Sequence, residues 1–408
     1  MGPRLKRLLS RLLLALFSAV LGLALCEGLL RFVYPRYQYA ADSQYGTSAT
    51  RIWTRLPNTR YLRPHPDSNR PHLVIHNNLG LHQHRNIPPE TLQGAVNVAF
   101  FGDSFVENLR LPSPCAFTEP LDYLLNLGDR RFNVLNFGVD GYGTDQAYLA
   151  YHEFPARERL DQVFYVFCSN DVRNIRESHL FDLDPGGKLV TRPAHASSWG
   201  VRLLSRFHLT YLVIEVYDTL ANRSRDRLDL PAFIEHERHK QSADLLRMEN
   251  DFRENRTSPE LADTLRLMDT ILRRWQREVE AHGGRFHVVI LPVESERFAV
   301  AHFTNTGFPV IDLGAGIDAL APAAGRHSLV FQNDGHWNEY GNMLAAMCLR
   351  QRIGALQGLP EASPADLRNA LSAYYSAFDG WKPDADTRAP EAAPDVKAAI
   401  RRKYTALE

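Results

Sequence analysis

Short, continuous apolar runs recur along the middle of the chain from residue 96 onward. They lie at Val96–Phe101, Phe132–Phe137, Val163–Cys168, Phe286–Leu291 and Val310–Leu313. Because their apolar residues are mostly consecutive rather than alternating with polar ones, each run is typical of a strand covered on both faces of a sheet. Helical stretches separate several of the runs. Strands that alternate with helices in this way predict an α/β fold with a parallel sheet.

The clearest helical pattern spans Ser258–His282. Thr257 and Glu260 have the spacing of a capping box at its start, and Gly283 suits its end. Apolar residues recur at steps of three and four and predict one buried stripe along this helix. These residues are Leu261, Leu265, Met268, Leu272, Trp275 and Val279.

The first 35 residues carry a different pattern. Four basic residues precede an apolar run of 15 residues, Leu12–Cys26, which Glu27 ends. The run is shorter than the ~20 apolar residues that usually span a bilayer, although Gly28–Leu30 could extend it. A membrane anchor, a cleaved signal peptide and a buried helix are all open, and the anchor is preferred. The basic flank predicts that the remaining chain is exported, into the periplasm of a Gram-negative cell.

These patterns divide the chain into segments. They are, in order, an anchor (1–35), an irregular approach segment (36–95), an α/β domain (96–358) and a C-terminal helix with a tail (359–408). One strand is predicted in the approach segment at His72–His76, and the C-terminal helix near Ala365–Phe378. Residues 176–256 interrupt the alternation of strands and helices. Because this stretch is too long for a loop, we expect a helical insertion there.

Composition narrows the classes of function. The 408 residues contain 47 Lys and Arg against 47 Asp and Glu, so no overall positive charge favours nucleic acid. The four cysteines, Cys26, Cys115, Cys168 and Cys348, form no CxxC pair. A zinc site is therefore not expected. No other metal or cofactor is expected from the remaining sequence. Cys168 and Cys348 lie in apolar runs, which predicts buried free thiols.

Candidate chemistry lies where the predicted strands end. Ser104 follows the first strand, Gly141 the second and Asn170 the third, whereas Asp334 and His336 precede the last helix. In an open parallel sheet the carboxyl ends of neighbouring strands face one crevice, and ligands bind there. We therefore expect these residues to meet despite their distance in sequence.

The residue types fit acyl transfer. A serine hydroxyl needs a base to become a nucleophile, which His336 can supply for Ser104. The imidazole needs an acceptor that fixes its tautomer, and Asp334 lies two residues away. A carbonyl under attack needs donors for its developing negative charge. The N–H groups of Ser104 and Gly141 and the side-chain amide of Asn170 are candidates for this oxyanion hole.

Purely structural interpretations of the same residues stay open. Ser104 could only cap a helix, since serine is favoured at that position. Asn170 could belong to a simple turn, and His336 could be structural. Asp334 could cap the last helix, although Asn338 is better placed to do so.

Taken together, the four stretches resemble, in order, the sequence blocks of the SGNH (GDSL-type) hydrolases. Gly102-Asp103-Ser104 resembles the nucleophile block, Gly141 the glycine block, Asn170 the Asn-Asp block, and Asp334 with His336 the terminal block. Any one block is weak evidence, but four in order are strong. The resemblance implies a flavodoxin-like three-layer α/β/α fold. It also implies esterase, lipase or acyltransferase activity without a metal.

Two departures from the family pattern bear on function. Only Gly335 separates Asp334 from His336, which is similar to a membrane-linked branch that includes alginate O-acetyltransferase-like proteins. Glu107-Asn108 stands where a glycine is often found. The expectation is a membrane-anchored, extracytoplasmic serine esterase that hydrolyses acyl esters of an envelope glycan or lipid. An O-acyltransferase acting on envelope polysaccharide and a non-catalytic anchored binding module are the alternatives.

Overall fold

The computed structural model describes residues 3–33, 45–194, 244–292, 296–321 and 326–377. The described strands are β1 (Tyr45–Ser48), β2 (Ile52–Arg55), β3 (Arg60–Pro64), β4 (Pro71–Ile75), β5 (Val96–Gly102), β6 (Phe132–Gly138), β7 (Gln162–Phe167), β8 (Phe181–Leu183), β9 (Leu189–Thr191), β10 (Arg285–Ile290) and β11 (Val310–Asp312). The described helices are α1 (Pro3–Val33), α2 (Ser104–Glu107), α3 (Thr118–Leu125), α4 (Thr144–His152), α5 (Asp171–Ser178), α6 (244–253), α7 (Pro259–Ala281), α8 (Glu296–Asn305), α9 (Leu313–Leu320), α10 (Glu339–Gln357) and α11 (Pro364–Tyr375).

The N-terminal helix α1 belongs to a different compact unit from the strands. An 18-residue stretch within it, Leu13–Leu30, has a mean hydropathy of 2.2 and is long and apolar enough to cross a membrane. By length and composition alone, a signal sequence has the same properties. The chain therefore has one apolar N-terminal helix that suits either an anchor or a signal peptide.

Five strands form one parallel sheet in the order β11–β10–β7–β5–β6. Counted from the first of these strands in sequence, this is the order of the flavodoxin-like doubly wound folds. Every residue of β5, β6 and β7 is buried, which explains their unbroken apolar runs. The five strands predicted from sequence are confirmed, with ends within a residue of those expected.

Successive residues of β5 point to opposite faces of the sheet, and each face has its own core. Ala99 and Phe101 pack with α4, α5 and α7, including the fully buried Trp275. Val98 and Phe100 pack with α3, α9, α10 and α11 on the other face. Fully burying side chains of this size contributes about 1.5–3 kcal/mol each. The domain is thus an α/β fold in which helices flank both faces of the parallel sheet.

Helix α7 confirms the predicted stripe, since all six apolar residues predicted to form that stripe are buried. The capping box predicted for Thr257 and Glu260 is wrong. Ser258 is the N-cap instead, and its side chain accepts the N–H of Leu261. Pro259 occupies the first helical position, which suits its fixed φ and places the cap at the residue before it.

Two predicted segments contain more regular structure than expected. The described part of the approach segment forms two antiparallel hairpins, β1–β2 and β3–β4, where the sequence predicts only the strand found as β4. The described parts of the 176–256 insertion include a third hairpin, β8–β9, and α6. Its amphipathic stretch lies outside the described residues. Strands of three to five residues are too short for alternation to stand out.

The predicted C-terminal helix is confirmed as α11, and the tail that follows it lies outside the described residues. All four cysteines are free, and Cys168 and Cys348 are buried as predicted.

Candidate active site

Ser104 lies two residues after the end of β5, at the first position of the short helix α2. Asp103 caps this helix, because its Oδ1 accepts the N–H of Phe105 at 3.0 Å. The interpretation of Ser104 as a mere helix cap is therefore wrong, since Asp103 performs that role and leaves the Ser104 hydroxyl available. Helix α2 packs so closely on the end of β6 that a Cβ at Gly138 would lie 2.2 Å from the backbone nitrogen of Glu107.

His336 reaches Ser104 from the loop before α10. Its Nε2 lies 2.7 Å from Ser104 Oγ, and its ring packs against Phe105 with centroids 5.0 Å apart. On the other side of the ring, Nδ1 is hydrogen-bonded to Oδ1 of Asp334, which also accepts the His336 N–H at 2.9 Å. An ionised carboxylate can only accept hydrogen bonds. Nδ1 must therefore carry a proton, and in the neutral ring Nε2 is the acceptor that faces Ser104.

The Asp334 carboxylate is half-buried. Burial alone would raise its pKa, but the hydrogen bond and charge of His336 and the charge of Arg110 outweigh it and lower the pKa below its usual range. Asp334 is thus ionised at neutral pH. Asn338 caps α10 by accepting the N–H of Gly341 at 3.0 Å, so Asp334 is not the cap of that helix.

Asn170 is tied to the loop that carries Ser104. Its Nδ2 donates to Oδ2 of Asp103 at 3.0 Å, and its Oδ1 is buried without a hydrogen-bond partner among the described residues. Asp171, which follows it, is fully buried and accepts the hydroxyl of Tyr165 at 2.6 Å. The Asn-Asp pair therefore begins α5 inside the domain rather than forming a simple surface turn.

Gly141 lies in the turn after β6, the strand next to β5 in the sheet. Its φ of +78° lies in the left-handed region that favours glycine. The residue is exposed, and the ring edge of Trp53 lies 3.6 Å from where a Gly141 Cβ would be. Within the described residues, neither the Gly141 N–H nor the Ser104 N–H has a hydrogen-bond partner. Both donors are therefore available to a ligand.

Arg110 is a site residue that no sequence pattern indicated. Its Nε lies 3.4 Å from Oδ2 of Asp334, and its Nη1 lies 3.3 Å from Oδ2 of Asp140, the residue before Gly141. The arginine side chain is only 11% exposed. It therefore connects the loop that carries the candidate acid with the loop that carries the candidate oxyanion glycine.

Glu107 was noted in the sequence only as a departure from a family pattern. It is fully buried, and its Oε2 accepts the N–H of Asp140 at 2.6 Å and Arg55 Nη2 at 2.8 Å. Burial alone would raise the pKa of Glu107, but the charge of Arg55, the close approach of His76 and the hydrogen bonds from Arg55 outweigh it and lower the pKa. The carboxylate thus fixes the backbone directly before Gly141.

The hairpins also support the loops on either side of Ser104 and His336. His82 Nδ1 lies 2.6 Å from the carbonyl oxygen of Glu107, and His72 Nε2 lies 3.0 Å from that of Leu109. Burial lowers the pKa of His82 to about 3 and that of His72 to about 4, so both rings are neutral donors. Asp67 accepts two backbone N–H groups, at 3.1 and 3.0 Å, immediately before Asp334. Segment 45–95 therefore makes hydrogen bonds with the loops that carry Ser104, Gly141 and His336.

Replacing Glu107 by glutamine should destabilise the domain by about 3 kcal/mol at pH 7, because it leaves the buried Arg55 charge without its carboxylate partner. Since folding lowers the Glu107 pKa, the difference from wild type should shrink as the pH falls below about 4.3. Urea unfolding at pH 7 and at pH 4 would measure both effects. Asp263→Asn, in an exposed pair with Arg266, is the matched control and should cost below about 1 kcal/mol. Equal losses in the two variants would contradict a structural role for Glu107.

No protein-family model matches the sequence, and no curated protein is significantly similar to it. Three similar solved structures have low scores. A member of the lipolytic protein G-D-S-L family from Veillonella parvula DSM 2008 is 12% identical, with 62% of this chain and 96% of that chain covered and a TM-score of 0.32. A lipase/acylhydrolase from Enterococcus faecalis is 14% identical, with 64% of this chain and 96% of that chain covered and a TM-score of 0.34. An acetylxylan esterase from Geobacillus stearothermophilus is 12% identical, with 65% of this chain and 96% of that chain covered and a TM-score of 0.36.

Proposed function

We propose that the protein is a membrane-anchored, extracytoplasmic serine esterase that hydrolyses acyl esters. The observation that carries this proposal is the unbroken chain of contacts from Asp334 through His336 to Ser104. A nucleophile, a base within hydrogen-bond reach and a group that orients the base are the three parts that serine acyl transfer requires. Among the described residues, no group of three or more His, Cys, Asp or Glu side chains is arranged to hold a metal ion.

The reaction takes place in two halves. In the first, Ser104 Oγ attacks the ester carbonyl carbon while His336 Nε2 takes the hydroxyl proton. The tetrahedral intermediate then collapses, the C–O bond to the alcohol breaks, and His336 returns the proton to the departing alcohol. In the second half, His336 takes a proton from water, which attacks the acyl-Ser104 carbonyl. The second tetrahedral intermediate then collapses, its bond to Ser104 Oγ breaks, and His336 returns the proton to this oxygen. The carboxylic acid is released, and the Ser104 hydroxyl and the neutral imidazole are restored.

The negative charge of each tetrahedral intermediate needs fixed donors. We assign this role to the N–H groups of Ser104 and Gly141 and to the second Nδ2 hydrogen of Asn170. Asp103 holds the Asn170 amide through its other hydrogen at 3.0 Å, so the group is positioned before substrate binds. Removal of one such donor typically raises the barrier by about 3 kcal/mol.

Anchoring is proposed from α1. Its 18-residue apolar stretch follows basic residues, and these favour retention of the N-terminus in the cytoplasm. A reporter fused after residue 408 that is active only outside the cytoplasm, on a chain that keeps its N-terminal epitope in the membrane fraction, would support an anchor. Loss of the N-terminal epitope from the mature protein would indicate a cleaved signal peptide instead.

Labelling with a fluorophosphonate tests the esterase proposal directly, because the probe reacts with a serine only when a base has activated it. The modified peptide should contain Ser104, and the His336→Gln variant should not be labelled. Ser113→Ala is a matched control, since Ser113 is also buried but its hydroxyl has no partner among the described residues. This control should label like wild type. Absence of labelling in folded wild-type protein would contradict the proposal.

Activity should depend on pH through a single acid limb between pH 4 and 8. kcat/KM should fall as the pH is lowered across this range, because a protonated imidazole cannot accept the Ser104 proton. Asp334 should add no second limb in this range, because its pKa is lowered on folding. Steady-state rates with a short-chain ester would measure the profile. A flat profile from pH 5 to 8, with acylation rate-limiting, would contradict His336 as the base.

A further inference from the structure

Arg110 lies between two carboxylates that belong to different loops of the site. Its Nε faces Asp334 across 3.4 Å and its Nη1 faces Asp140 across 3.3 Å. These partners are 224 and 30 residues away in sequence. The guanidinium is largely buried, and nothing in the proposed reaction uses it.

We propose that Arg110 is a positioning residue that holds the Asp334 carboxylate in place for His336 and couples this loop to the turn that carries Gly141. The inference rests on the proposed function, since it assigns a task within the same site. Arg110 does not contact Ser104 or His336 in the described structure, so its effect is transmitted through Asp334.

The two oxygens of Asp334 have separate partners. Oδ1 accepts both the backbone N–H and the Nδ1 proton of His336, whereas Oδ2 faces Arg110. A carboxylate with only one oxygen engaged can rotate about its Cβ–Cγ bond and present the wrong oxygen. The planar guanidinium has fixed donors that restrict this rotation, which the point charge of a lysine would do less well.

The second partner places Arg110 beside the candidate oxyanion hole. Asp140 precedes Gly141, and its N–H is held by Glu107 at 2.6 Å. Arg110 binds the side chain of the same Asp140, so both backbone and side chain of this residue are fixed. Displacement of Arg110 should therefore disturb the Gly141 turn as well as the candidate acid.

The opposite charges of Arg110 and of the Asp140 and Asp334 carboxylates favour the ionised form of all three groups. Burial would raise the pKa of Asp140, but the charge of Arg110 outweighs it and lowers the pKa. Burial would likewise lower the pKa of Arg110, but Asp140 and Asp334 outweigh it and raise the pKa. Among the described residues, the acidic groups that interact electrostatically with His336 are Asp334 and Asp103, and burial raises the pKa of Asp103. Arg110 lies one contact further away. Removal of this one cation should make protonation of the imidazole more favourable.

The test compares Arg110→Met with wild type on a short-chain ester. We expect kcat to fall at least about 50-fold with KM changed less than about threefold, because the interaction acts on the transition state rather than on substrate binding. The acid limb of kcat/KM should move to higher pH by about 0.5 unit or more. Arg110→Lys should have a kcat and an acid limb between those of wild type and Arg110→Met. Lysine keeps the positive charge but lacks the paired donors of the planar guanidinium. An unchanged kcat and an unchanged acid limb in Arg110→Met would overturn the inference.

The double variant Arg110→Met/Asp140→Asn separates positioning from folding. Arg110→Met alone leaves Asp140 as a half-buried carboxylate without its cation, which lowers stability. Removal of that charge should recover most of the lost Tm. If Arg110 positions Asp334, kcat and the acid limb should stay impaired in the double variant. Recovery of kcat together with Tm would show that Arg110 only supports folding, and would overturn the inference.

A readout without substrate keeps this test independent of the proposed function. NMR titration of ¹⁵N-labelled imidazoles, with His336 assigned by its loss in His336→Gln, reports the protonation of the ring directly. The midpoint should rise in Arg110→Met, and an unchanged midpoint would overturn the inference even if no ester is hydrolysed. Absence of both turnover and fluorophosphonate labelling in wild type would instead count against the proposed function.

Discussion

Ser104→Ala should abolish acyl-ester turnover and leave the fold intact. Ser104 is only 5% exposed, and the substitution removes its hydroxyl, which is hydrogen-bonded to His336. The N-cap of α2 is provided by Asp103, so the helix does not depend on Ser104. Loss of a nucleophile in a serine triad costs about 10⁶-fold in kcat. We therefore expect a loss of at least about 10⁴-fold in kcat/KM for this protein.

Stability separates loss of chemistry from loss of structure in this variant. One hydrogen bond contributes about 0.5–1.5 kcal/mol, so the thermal midpoint should change by only a few degrees. Ser113→Ala, at another buried serine, should keep both its midpoint and its activity. Ser104→Ala activity within tenfold of wild type would contradict Ser104 as the nucleophile.

The parallel sheet could be predicted because burial on both faces leaves a simple trace in the sequence. Val98 and Phe100 face one core while Ala99 and Phe101 face the other, so β5 reads as one apolar run. Helix α7 could be predicted equally well, since its single buried stripe follows the helical period. Local signals decided these elements, and the only error in α7 was the identity of its cap.

Ser104, Gly141 and Asn170 could be found because a parallel sheet brings the carboxyl ends of its strands to one edge. Asp334 and His336 lie in the loop before α10 and could be found only from their residue types and their resemblance to the terminal block of a known family. Ser104, Asp334 and His336 lie together, and the Asn170 amide reaches Asp103 beside them. Their chemical roles and the position of Gly141 toward a substrate stay predictions.

The supporting residues could not be found from sequence because their partners are distant and follow no motif. Arg55 and Glu107 are 52 residues apart, and Arg110 and Asp334 are 224 apart. The hairpin strands that present Arg55 and His72 are too short for a periodic pattern. An arginine or histidine in a polar stretch is most often exposed to solvent. Only burial distinguishes these residues, and burial is known only once the folded structure is known.

Asp334→Asn should lower kcat by about 10³–10⁴-fold with little effect on KM. An amide can donate to Nδ1 of His336, and the ring then carries its proton on Nε2, where it cannot accept the Ser104 hydroxyl. The change also removes the negative charge that stabilises the imidazolium formed during acyl transfer. Because the amide is nearly isosteric with the carboxylate, the loop should keep its conformation.

Asp67→Asn is the matched control for this variant. Asp67 supports the same loop through the N–H groups of Gln332 and Asn333 but does not touch His336 in the described structure. The control should therefore lose less than about tenfold in kcat, because an asparagine oxygen can still accept one of the two hydrogen bonds. Steady-state kinetics at pH 8 would compare the two variants. A loss below tenfold in Asp334→Asn would mean that another carboxylate orients His336, and the buried Asp103, whose charge acts on that ring, would be the next to replace.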